Sequence, residues 1–253
     1  MDRGASSGPL TESERYAFDL HGYLVRRGAL TSSEVEALRR AVTGLRLPRA
    51  GPTIDSQRFN GHLRRDQVFR DLMDHPAVLE PLLEMCGPLL RLDHAYGIVM
   101  APGSAGLGLH GGATPYDPSQ HYRVEGGRMF NGLVAVQWAL VAHLPGDGGF
   151  GCIPGSHKAA FRLPPDPDPS LVVEVPLAAG DVVFFTEALA HCTIPWRSPA
   201  ERLALLYKYA PGHLAWGPDY EDWRALARSA TERQRRLLQP PAVYRHQPVQ
   251  PAG

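Results

Sequence analysis

The feature that most constrains the fold is a change of hydrophobic period near residue 89. Up to that point apolar residues recur at helical spacing. Beyond it, short apolar segments rich in β-branched and aromatic residues are separated by glycine, proline and aspartate. Five such segments cover 89–102, 130–143, 170–178, 180–194 and 202–211. Helices followed by a run of strands predict an α+β domain whose strands form a sandwich or barrel.

Helices are predicted on both sides of the strands. Thr31 and Glu34 form a capping box, the pattern that starts a helix when apolar residues follow at helical spacing. Further helices are predicted over 68–73, 77–85 and 220–238. We therefore expect one domain over 1–253, with 1–15 and 240–253 flexible.

The composition favours a soluble cytoplasmic protein that binds neither a nucleic-acid polymer nor a membrane. The 26 basic and 26 acidic residues cancel, so no net field attracts a nucleic-acid polymer or an anionic membrane. The three cysteines are odd in number and form no CxxC pair, which indicates a reducing compartment. The N-terminus lacks the apolar stretch of a secretory signal, and no run approaches the roughly 18 apolar residues of a membrane span.

Two of the eleven histidines have distinctive surroundings. His110 follows the glycine-rich run SAGLGL and precedes two more glycines, so the backbone there permits close approach of a bound group. His191 lies near the end of the predicted strand 180–194, and Arg202 opens the next predicted strand. The other histidines are interpreted as surface or core residues.

Three further stretches resemble the phytanoyl-CoA dioxygenase family of iron- and 2-oxoglutarate-dependent oxygenases. They are FDLHGYLVRRGALTSSEVEALR, GDGGFGCIPGSHK and GDVVFFTEALAHCTIPWRSPAERLALLYKYAP, and the similarity runs from about Tyr16 to Gly212. The resemblance implies a double-stranded β-helix, a cupin-like jelly roll flanked by N-terminal and C-terminal helices. It also implies Fe(II), 2-oxoglutarate and O2 as cofactor and co-substrates.

The same resemblance implies roles for individual residues. His110 and His191 would hold the metal. Arg202 would pair with the far carboxylate of 2-oxoglutarate, a task that suits the planar fork of a guanidinium. Thr193 and Gln137 are expected to contact the co-substrate as well, with an ordinary strand residue as the alternative for each.

Gly112 stands where the family's His-x-Asp/Glu pattern has its metal-binding acid. The preferred interpretation is that a chloride ion fills the open position. This resembles the iron/2-oxoglutarate halogenases, which carry His-x-Gly or His-x-Ala at these positions. That resemblance implies that a hydrogen atom is removed from an unactivated aliphatic carbon and that chlorine is transferred to it.

Two alternatives to the halogenase stay open. In the first, another carboxylate completes the metal site and the enzyme is a hydroxylase. Asp117 and Glu187 are the candidates, although a straight strand would hold Glu187 roughly 13 Å from His191, too far for ligation. In the second, the jelly roll is a non-catalytic binding protein, an interpretation that the two histidines and the arginine disfavour.

The loop after the first metal histidine is expected to contribute to a substrate pocket. Arg123, Arg128, Phe130 and Asn131 offer cationic, aromatic and amide contacts there, with a solvated loop as the alternative for the arginines. These contacts suit a small polar metabolite of natural-product biosynthesis. Among halogenases with a His-x-Gly pair, the chain most resembles those that act on a nucleotide such as deoxyadenosine monophosphate, and this resemblance implies an adenine that could stack on Phe130 or Trp196.

Overall fold

Helices occupy both ends of the described chain, and strands occupy most of its middle. The computed structural model describes residues 7–48, 56–112, 117, 119–217, 223–243 and 246–250. The helices are α1 Glu12–His21, α2 Ser32–Gly44, α3 Gln67–Arg70, α4 Pro76–Cys86, α5 Trp223–Ala227 and α6 Glu232–Leu237. The strands are β1 Tyr23–Arg26, β2 Ser56–Phe59, β3 Arg91–Met100, β4 Leu107–His110, β5 Tyr122–Glu125, β6 Arg128–Asn131, β7 Val134–Ala139, β8 Gly149–Cys152, β9 Val173–Glu174, β10 Val182–Thr186, β11 His191–Ile194 and β12 Arg202–Ala210.

The strands form two antiparallel sheets and one separate hairpin. The six-stranded sheet has the order β1-β10-β7-β12-β3-β2, and the four-stranded sheet has the order β4-β11-β8-β9. Strands β5 and β6 pair with each other as a hairpin. This is the jelly-roll arrangement of the double-stranded β-helix, so the predicted α+β class is confirmed. Among the described residues, no helix has the length and apolar character needed to span a membrane.

Strand β10 shows how the core is layered. Val182 and Phe184 belong to the apolar cluster shared with the helices, whereas Val183 and Phe185 belong to the cluster shared with the small sheet. The rings of Phe185 and Phe150 of β8 lie 4.7 Å apart between centroids. Because both faces of the strand are buried, its sequence is continuously apolar. The helices therefore cover one face of the large sheet, and the small sheet covers the other.

The segment 180–194, predicted as one strand, is two strands that belong to different sheets. Between them the chain turns: the Leu189 amide donates to the Thr186 carbonyl at 3.0 Å, and the Ala188 amide donates to Thr186 Oγ1 at 3.3 Å. A threonine side chain that bonds to the backbone in this way competes with strand pairing. The prediction of one straight strand was wrong, so the separation of roughly 13 Å between Glu187 and His191, which assumed that strand, does not apply.

Both ends of the described chain pack onto the domain, and the predicted flexibility of 1–15 and 240–253 stays a prediction. Thr11 caps α1 through a capping box, so the helix begins inside the first 15 residues. Near the other end, the buried Val249 donates its amide to the Pro88 carbonyl at 3.0 Å. Residues 1–6, 244–245 and 251–253, which the same prediction covers, lie outside the described residues.

The helix predicted over 220–238 is interrupted. Helix α5 ends at Ala227, and a new capping box between Thr231 and Gln234 starts α6. The capping side chains satisfy amides that a continuous helix would bond to its own backbone, which favours a fresh start. The capping box at Thr31 is present as predicted. Residues 220–222 lie outside the described residues.

The burial of His62 predicts that the folded protein loses stability in mild acid. Its ring is fully buried, neither ring nitrogen has a hydrogen-bond partner, and it meets Phe59, Phe69 and Tyr207 edge-on. Burial lowers the pKa of His62 from 6.5 to about 4. Between those values the unfolded chain binds a proton that the folded chain does not. The free energy of unfolding therefore falls as the pH falls through this window, by about 3 kcal/mol in total for this group.

We expect His62→Leu to flatten the dependence of unfolding free energy on pH between about pH 6.5 and about pH 4. Urea denaturation at several pH values measures this slope. The exposed His213, replaced by asparagine, is the matched control and should leave the slope unchanged. An equally steep slope in His62→Leu and the native protein would show that His62 does not carry this dependence.

Candidate metal centre and co-substrate site

Two histidine side chains meet where β4 and β11 run side by side. His110, the proximal histidine, ends β4, and His191, the distal histidine, begins β11. The register places them directly opposite each other, with ring centroids 4.2 Å apart. Directly opposite residues of an antiparallel pair project from the same face of the sheet. The topology thus brings together two imidazoles that are distant in the sequence.

Backbone carbonyls orient both rings. Nδ1 of His110 donates to the Gly108 carbonyl at 2.9 Å, and Nδ1 of His191 donates to the Leu189 carbonyl at 2.8 Å. A carbonyl oxygen only accepts, so each Nδ1 carries the hydrogen and each Nε2 keeps its lone pair for a metal. Burial lowers the pKa of His191 to about 4, which keeps that ring neutral at pH 7.

The two glycines after the proximal histidine differ in what a side chain would meet. A Cβ on Gly111 would lie 2.7 Å from the Leu189 carbonyl oxygen, so the backbone has no room for one. A Cβ on Gly112 would lie 3.3 Å from the Ala190 Cβ, a contact that a small shift relieves. Gly112 has φ +69°, a conformation that favours glycine. Backbone conformation, more than crowding, therefore opposes a side chain at position 112.

A buried ion pair lies next to the histidines. Glu187, in the turn after β10, pairs with Lys208 of β12, and both side chains are less than a tenth exposed. Burial by itself would raise the pKa of Glu187, but Lys208 and the two histidines hold this pKa well below its usual range. The turn has thus placed an ionised carboxylate within electrostatic range of both imidazoles. Across the described part of the chain, no three histidine, cysteine or acidic side chains converge at metal-ligand spacing.

Asp117, the other predicted source of a carboxylate, has both oxygens engaged by neighbours. Its Oδ1 accepts from the Ser119 amide at 2.8 Å and from the Ser119 hydroxyl at 2.6 Å. Its Oδ2 accepts from Trp216 Nε1 at 3.0 Å. The structure therefore places this carboxylate as a link between two loops.

Arg202 begins β12 and is buried, with no acidic side chain paired to it among the described residues. Its Nη2 donates to Gln137 Oε1 at 3.2 Å, its Nη1 contacts Met100 Sδ at 3.3 Å, and its Nε has no partner. Burial lowers the pKa of Arg202 to about 10, so the guanidinium is still charged at neutral pH. A buried cation is unfavourable until an anion pairs with it. The side chain therefore marks a place for a carboxylate or similar group.

Strand β11 leads from the two histidines towards the Arg202 guanidinium. It runs from His191 past the half-buried Thr193 to Ile194, which pairs with Gly149 of β8. A Cβ on Gly149 would lie 3.4 Å from Arg202 Nε. The amide nitrogen of the predicted contact residue Gln137 is also buried without a partner. Among the described residues, Arg202 Nε and Gln137 Nε2 are thus two buried donors available to an anion.

The predicted substrate residues Arg123, Arg128, Phe130 and Asn131 lie on the β5–β6 hairpin. They line a cavity of about 640 Å³ between the hairpin, the end of α4 and the segment after β12. Arg123 lies over the Phe130 ring at 4.9 Å, and the buried Asn131 donates to the Met85 carbonyl at 3.0 Å. Neither His110 nor His191 is among the described residues that line this cavity. The structure therefore places these four residues beside a separate hollow.

Trp196 does not offer a face to a ligand, which corrects the predicted stacking. Its side chain is fully buried, Nε1 donates to the Ala200 carbonyl at 2.6 Å, and the ring meets His143 edge-on. It braces the segment between β11 and β12. A large aromatic residue gives the same sequence signal whether it packs in a core or contacts a ligand.

Three residues near the histidines were not marked by the sequence. Lys208 lies inside an apolar strand, and strand alternation places it on the same face as Arg202, a signal that could have identified it. His94 is paired with Lys208 across the sheet, donates Nδ1 to Asp93 Oδ2 at 2.7 Å and stacks on Trp216. No local pattern marks Trp216, because its position depends on contacts between distant segments.

The sequence matches one family model over most of its length. The model described as phytanoyl-CoA dioxygenase (PhyH) matches residues 18–204. A comparison with curated proteins gives no significant match.

Solved structures give the same architecture. HygX from Streptomyces hygroscopicus, with nickel and 2-oxoglutarate bound, superposes with a TM-score of 0.74 at 28% identity, covering 83% of this chain and 91% of HygX. HygX has also been solved with iron and with hygromycin B. The carbocyclase SnoK from nogalamycin biosynthesis superposes with a TM-score of 0.65 at 20% identity, over 86% of this chain and 92% of SnoK. The epimerase SnoN of the same biosynthesis gives 0.63 at 20% identity, over 84% and 87%. SnoK and SnoN support the fold alone.

Proposed function

The chain belongs to the phytanoyl-CoA dioxygenase family of Fe(II)- and 2-oxoglutarate-dependent oxygenases, and we propose that it is a halogenase. It would chlorinate an unactivated aliphatic C–H bond of a small polar metabolite. The observation that carries the proposal is Gly112, a residue without a side chain at the position of the family's anionic metal ligand. Two neutral imidazoles leave an Fe(II) ion with open positions and unbalanced charge, and chloride would supply both an additional ligand and a negative charge.

The residues present fit iron and 2-oxoglutarate. The Nε2 atoms of His110 and His191 have lone pairs available for the metal. Arg202 and Gln137 hold unused, buried donors that would bind the far carboxylate of the co-substrate, and Thr193 lies along the path between the two groups. The 28% identical HygX was solved with 2-oxoglutarate and with iron, which supports the same assignment here.

The proposed reaction balances with these co-substrates. Bound iron supplies O2 activation coupled to the oxidative decarboxylation of 2-oxoglutarate. One oxygen atom enters succinate and the other leaves as water with the substrate hydrogen and a proton. Overall, 2-oxoglutarate, O2, R–H, chloride and a proton give succinate, CO2, R–Cl and water. The chain's own contribution is to orient the two imidazoles, bind the co-substrate's far end and provide no carboxylate side chain at position 112.

The direct test is whether chloride enters the metal site. We expect the anaerobic protein with Fe(II) and 2-oxoglutarate to show a visible charge-transfer band, and chloride to shift this band. Perchlorate at equal ionic strength controls for a general salt effect. If the band forms and chloride leaves it unchanged, the halogenase assignment fails while the oxygenase assignment stands.

A hydroxylase is the second candidate, and Glu187 favours it. This side chain is buried, ionised and within electrostatic range of both imidazoles. Its partner is Lys208. A rearrangement of the turn that moved the carboxylate onto the metal would complete the 2-His-1-carboxylate set of non-haem oxygenases.

Replacing Glu187 separates the two candidates. For the halogenase we expect Glu187→Gln to weaken Fe(II) binding by about 10- to 100-fold at most, the usual effect of a group outside the ligand set. The double variant Glu187→Gln/Lys208→Met is the control, because it avoids an unpaired buried ammonium. Anaerobic calorimetry measures Fe(II) affinity. Loss of binding in both variants, with folding intact, would identify Glu187 as a ligand and favour hydroxylation.

The structural relative HygX supports a class of substrate, but it does not identify an individual substrate. HygX was solved with the antibiotic hygromycin B bound, and this supports a substrate from natural-product biosynthesis. A nucleotide such as deoxyadenosine monophosphate stays one candidate within that class. Product analysis by mass spectrometry, with chloride exchanged for bromide, would read out transfer of the halide to carbon.

A further inference from the structure

A column of stacked rings leads from the large sheet to the protein surface. Tyr96 and His94 project from the same face of β3, with centroids 5.8 Å apart and planes 12° apart. Trp216 stacks on His94 at 5.3 Å and 22°. The other end of the column is covered by the exposed Arg58 on the edge strand β2, whose Cζ lies 3.4 Å from the Tyr96 ring centroid. Tyr96 and His94 are buried, whereas Trp216 keeps 43% of its surface exposed.

Hydrogen bonds hold the exposed indole in place. The Trp216 amide donates to Asp93 Oδ1 at 3.0 Å, and Nε1 donates to Asp117 Oδ2 at 3.0 Å. Asp93 is itself buried and paired with Arg91. An exposed aromatic side chain normally loses conformational freedom when it binds a ligand, and this one is already restrained. A large exposed apolar side chain held in one orientation is the kind of surface feature that marks a binding site.

Contacts connect the indole to the metal pair. His94, which lies beneath Trp216, is paired across the sheet with Lys208. Lys208 forms the ion pair with Glu187, which interacts electrostatically with both metal histidines. Asp117 also interacts electrostatically with Glu187. The indole is therefore placed at the end of the jelly roll that holds the histidines, away from Arg202 at the start of β12.

A hydrogen-bond acceptor, the Asp117 carboxylate, lies at the edge of the Trp216 indole. The Asp117 carboxylate accepts the indole N–H and two bonds from Ser119, and an ionised carboxylate has about four acceptor sites in total. Counting only bonds from the part of the chain that the structure describes, this carboxylate can accept one more hydrogen bond at the edge of the indole. A ring that carries an amino group would satisfy both the aromatic face and this acceptor.

We infer that Trp216 is the platform on which the substrate's planar, amino-bearing heteroaromatic ring stacks, with Asp117 at the ring's edge. This inference rests on the proposed function, since it names the substrate class of the same site. Stacking on the indole holds one end of the substrate beside the metal pair, so that another part of it faces the histidines. Trp216 is thus a specificity-determining residue, and Trp196 and Phe130 are not required for ring binding.

Adenosine is the probe for ring binding. Ribose, which lacks the adenine ring, is the control ligand. In the anaerobic protein with Fe(II) and 2-oxoglutarate, we expect adenosine to bind and to quench tryptophan fluorescence, with ribose causing neither effect. Trp216→Ala should weaken adenosine binding by roughly 5- to 100-fold, the range for loss of one stacking partner. Trp216→Phe should recover part of the affinity. The half-buried Trp223, replaced by phenylalanine, is the control and should bind adenosine as the native protein does.

The visible charge-transfer band separates this inference from the proposed function. Suppose that Trp216→Ala forms the same charge-transfer band as the native protein. If it also binds adenosine with the native affinity, the platform assignment is wrong. It is also wrong if the native protein shows no adenosine binding by calorimetry. If the native protein forms no band, the metal and co-substrate assignment fails, and calorimetry with adenosine still decides the platform.

Discussion

Replacing Arg202 by methionine is expected to weaken 2-oxoglutarate binding by at least about 100-fold and, at the same time, to stabilise the folded protein. The guanidinium is buried and charged, with no acidic partner among the described residues. Its charge-assisted hydrogen bonds to a carboxylate contribute about 1.5–3 kcal/mol each. Loss of two such bonds therefore lowers the affinity for 2-oxoglutarate by at least about 100-fold. Removing an uncompensated buried charge has the opposite effect on folding, because its desolvation is unfavourable.

Two measurements check this pair of effects. Anaerobic titration of the Fe(II) protein, followed by the charge-transfer band, gives the 2-oxoglutarate affinity, and thermal unfolding without co-substrate gives the stability. Arg202→Lys is the matched control. It retains a cation but loses the planar fork, so binding should be intermediate. If Arg202→Met binds 2-oxoglutarate within about tenfold of the native affinity, the arginine is not the anchor of the co-substrate.

The second large effect is expected at Gly112. Gly112→Asp would add a carboxylate next to the metal histidines, so we expect chloride to lose its effect on the charge-transfer band and chlorinated product to disappear. Hydroxylated product should replace it. Because φ is +69° at this position, the substitution also strains the backbone, at a cost of roughly 1–2 kcal/mol.

Because Gly112→Asp changes both the backbone strain and the charge at this position, control variants are needed that separate the two effects. Gly112→Ala adds the same Cβ, 3.3 Å from that of Ala190, without a carboxylate. Gly112→Asn adds a side chain of the same shape that is neutral and tolerates this backbone conformation. Both should retain the chloride response. If Gly112→Ala loses it as fully as Gly112→Asp does, space and not charge explains the native glycine.

The larger features of the fold follow from local patterns in the sequence. The change of hydrophobic period near residue 89 separates helices from strands because each has its own side-chain repeat. The capping box at Thr31 predicts the start of α2 because both of its bonds are local. The pairing of His110 with His191 required the family resemblance, since no local rule indicates which strands become neighbours.

The details next to the metal pair were less predictable. The segment that contains Glu187 is continuously apolar on both sides, so its composition does not show where one sheet ends and the other begins. The structure reveals a turn at Thr186 that places the Glu187 carboxylate near the imidazoles. The Trp216 contacts join residues about 100 positions apart, as the bond to Asp117 shows, and a single sequence contains no signal for such pairings.

The orientation of the two imidazoles depends on main-chain carbonyls, so it can be retained while the sequence around them diverges within the family. Gly108 and Leu189 hold the histidines through their main-chain carbonyls, and every amino acid has that group. A substitution at either position leaves in place the carbonyl that orients the ring, but at the fully buried Leu189 the new side chain must fill the same space in the core. New substrates can be reached by replacing surrounding side chains while the metal chemistry is inherited unchanged.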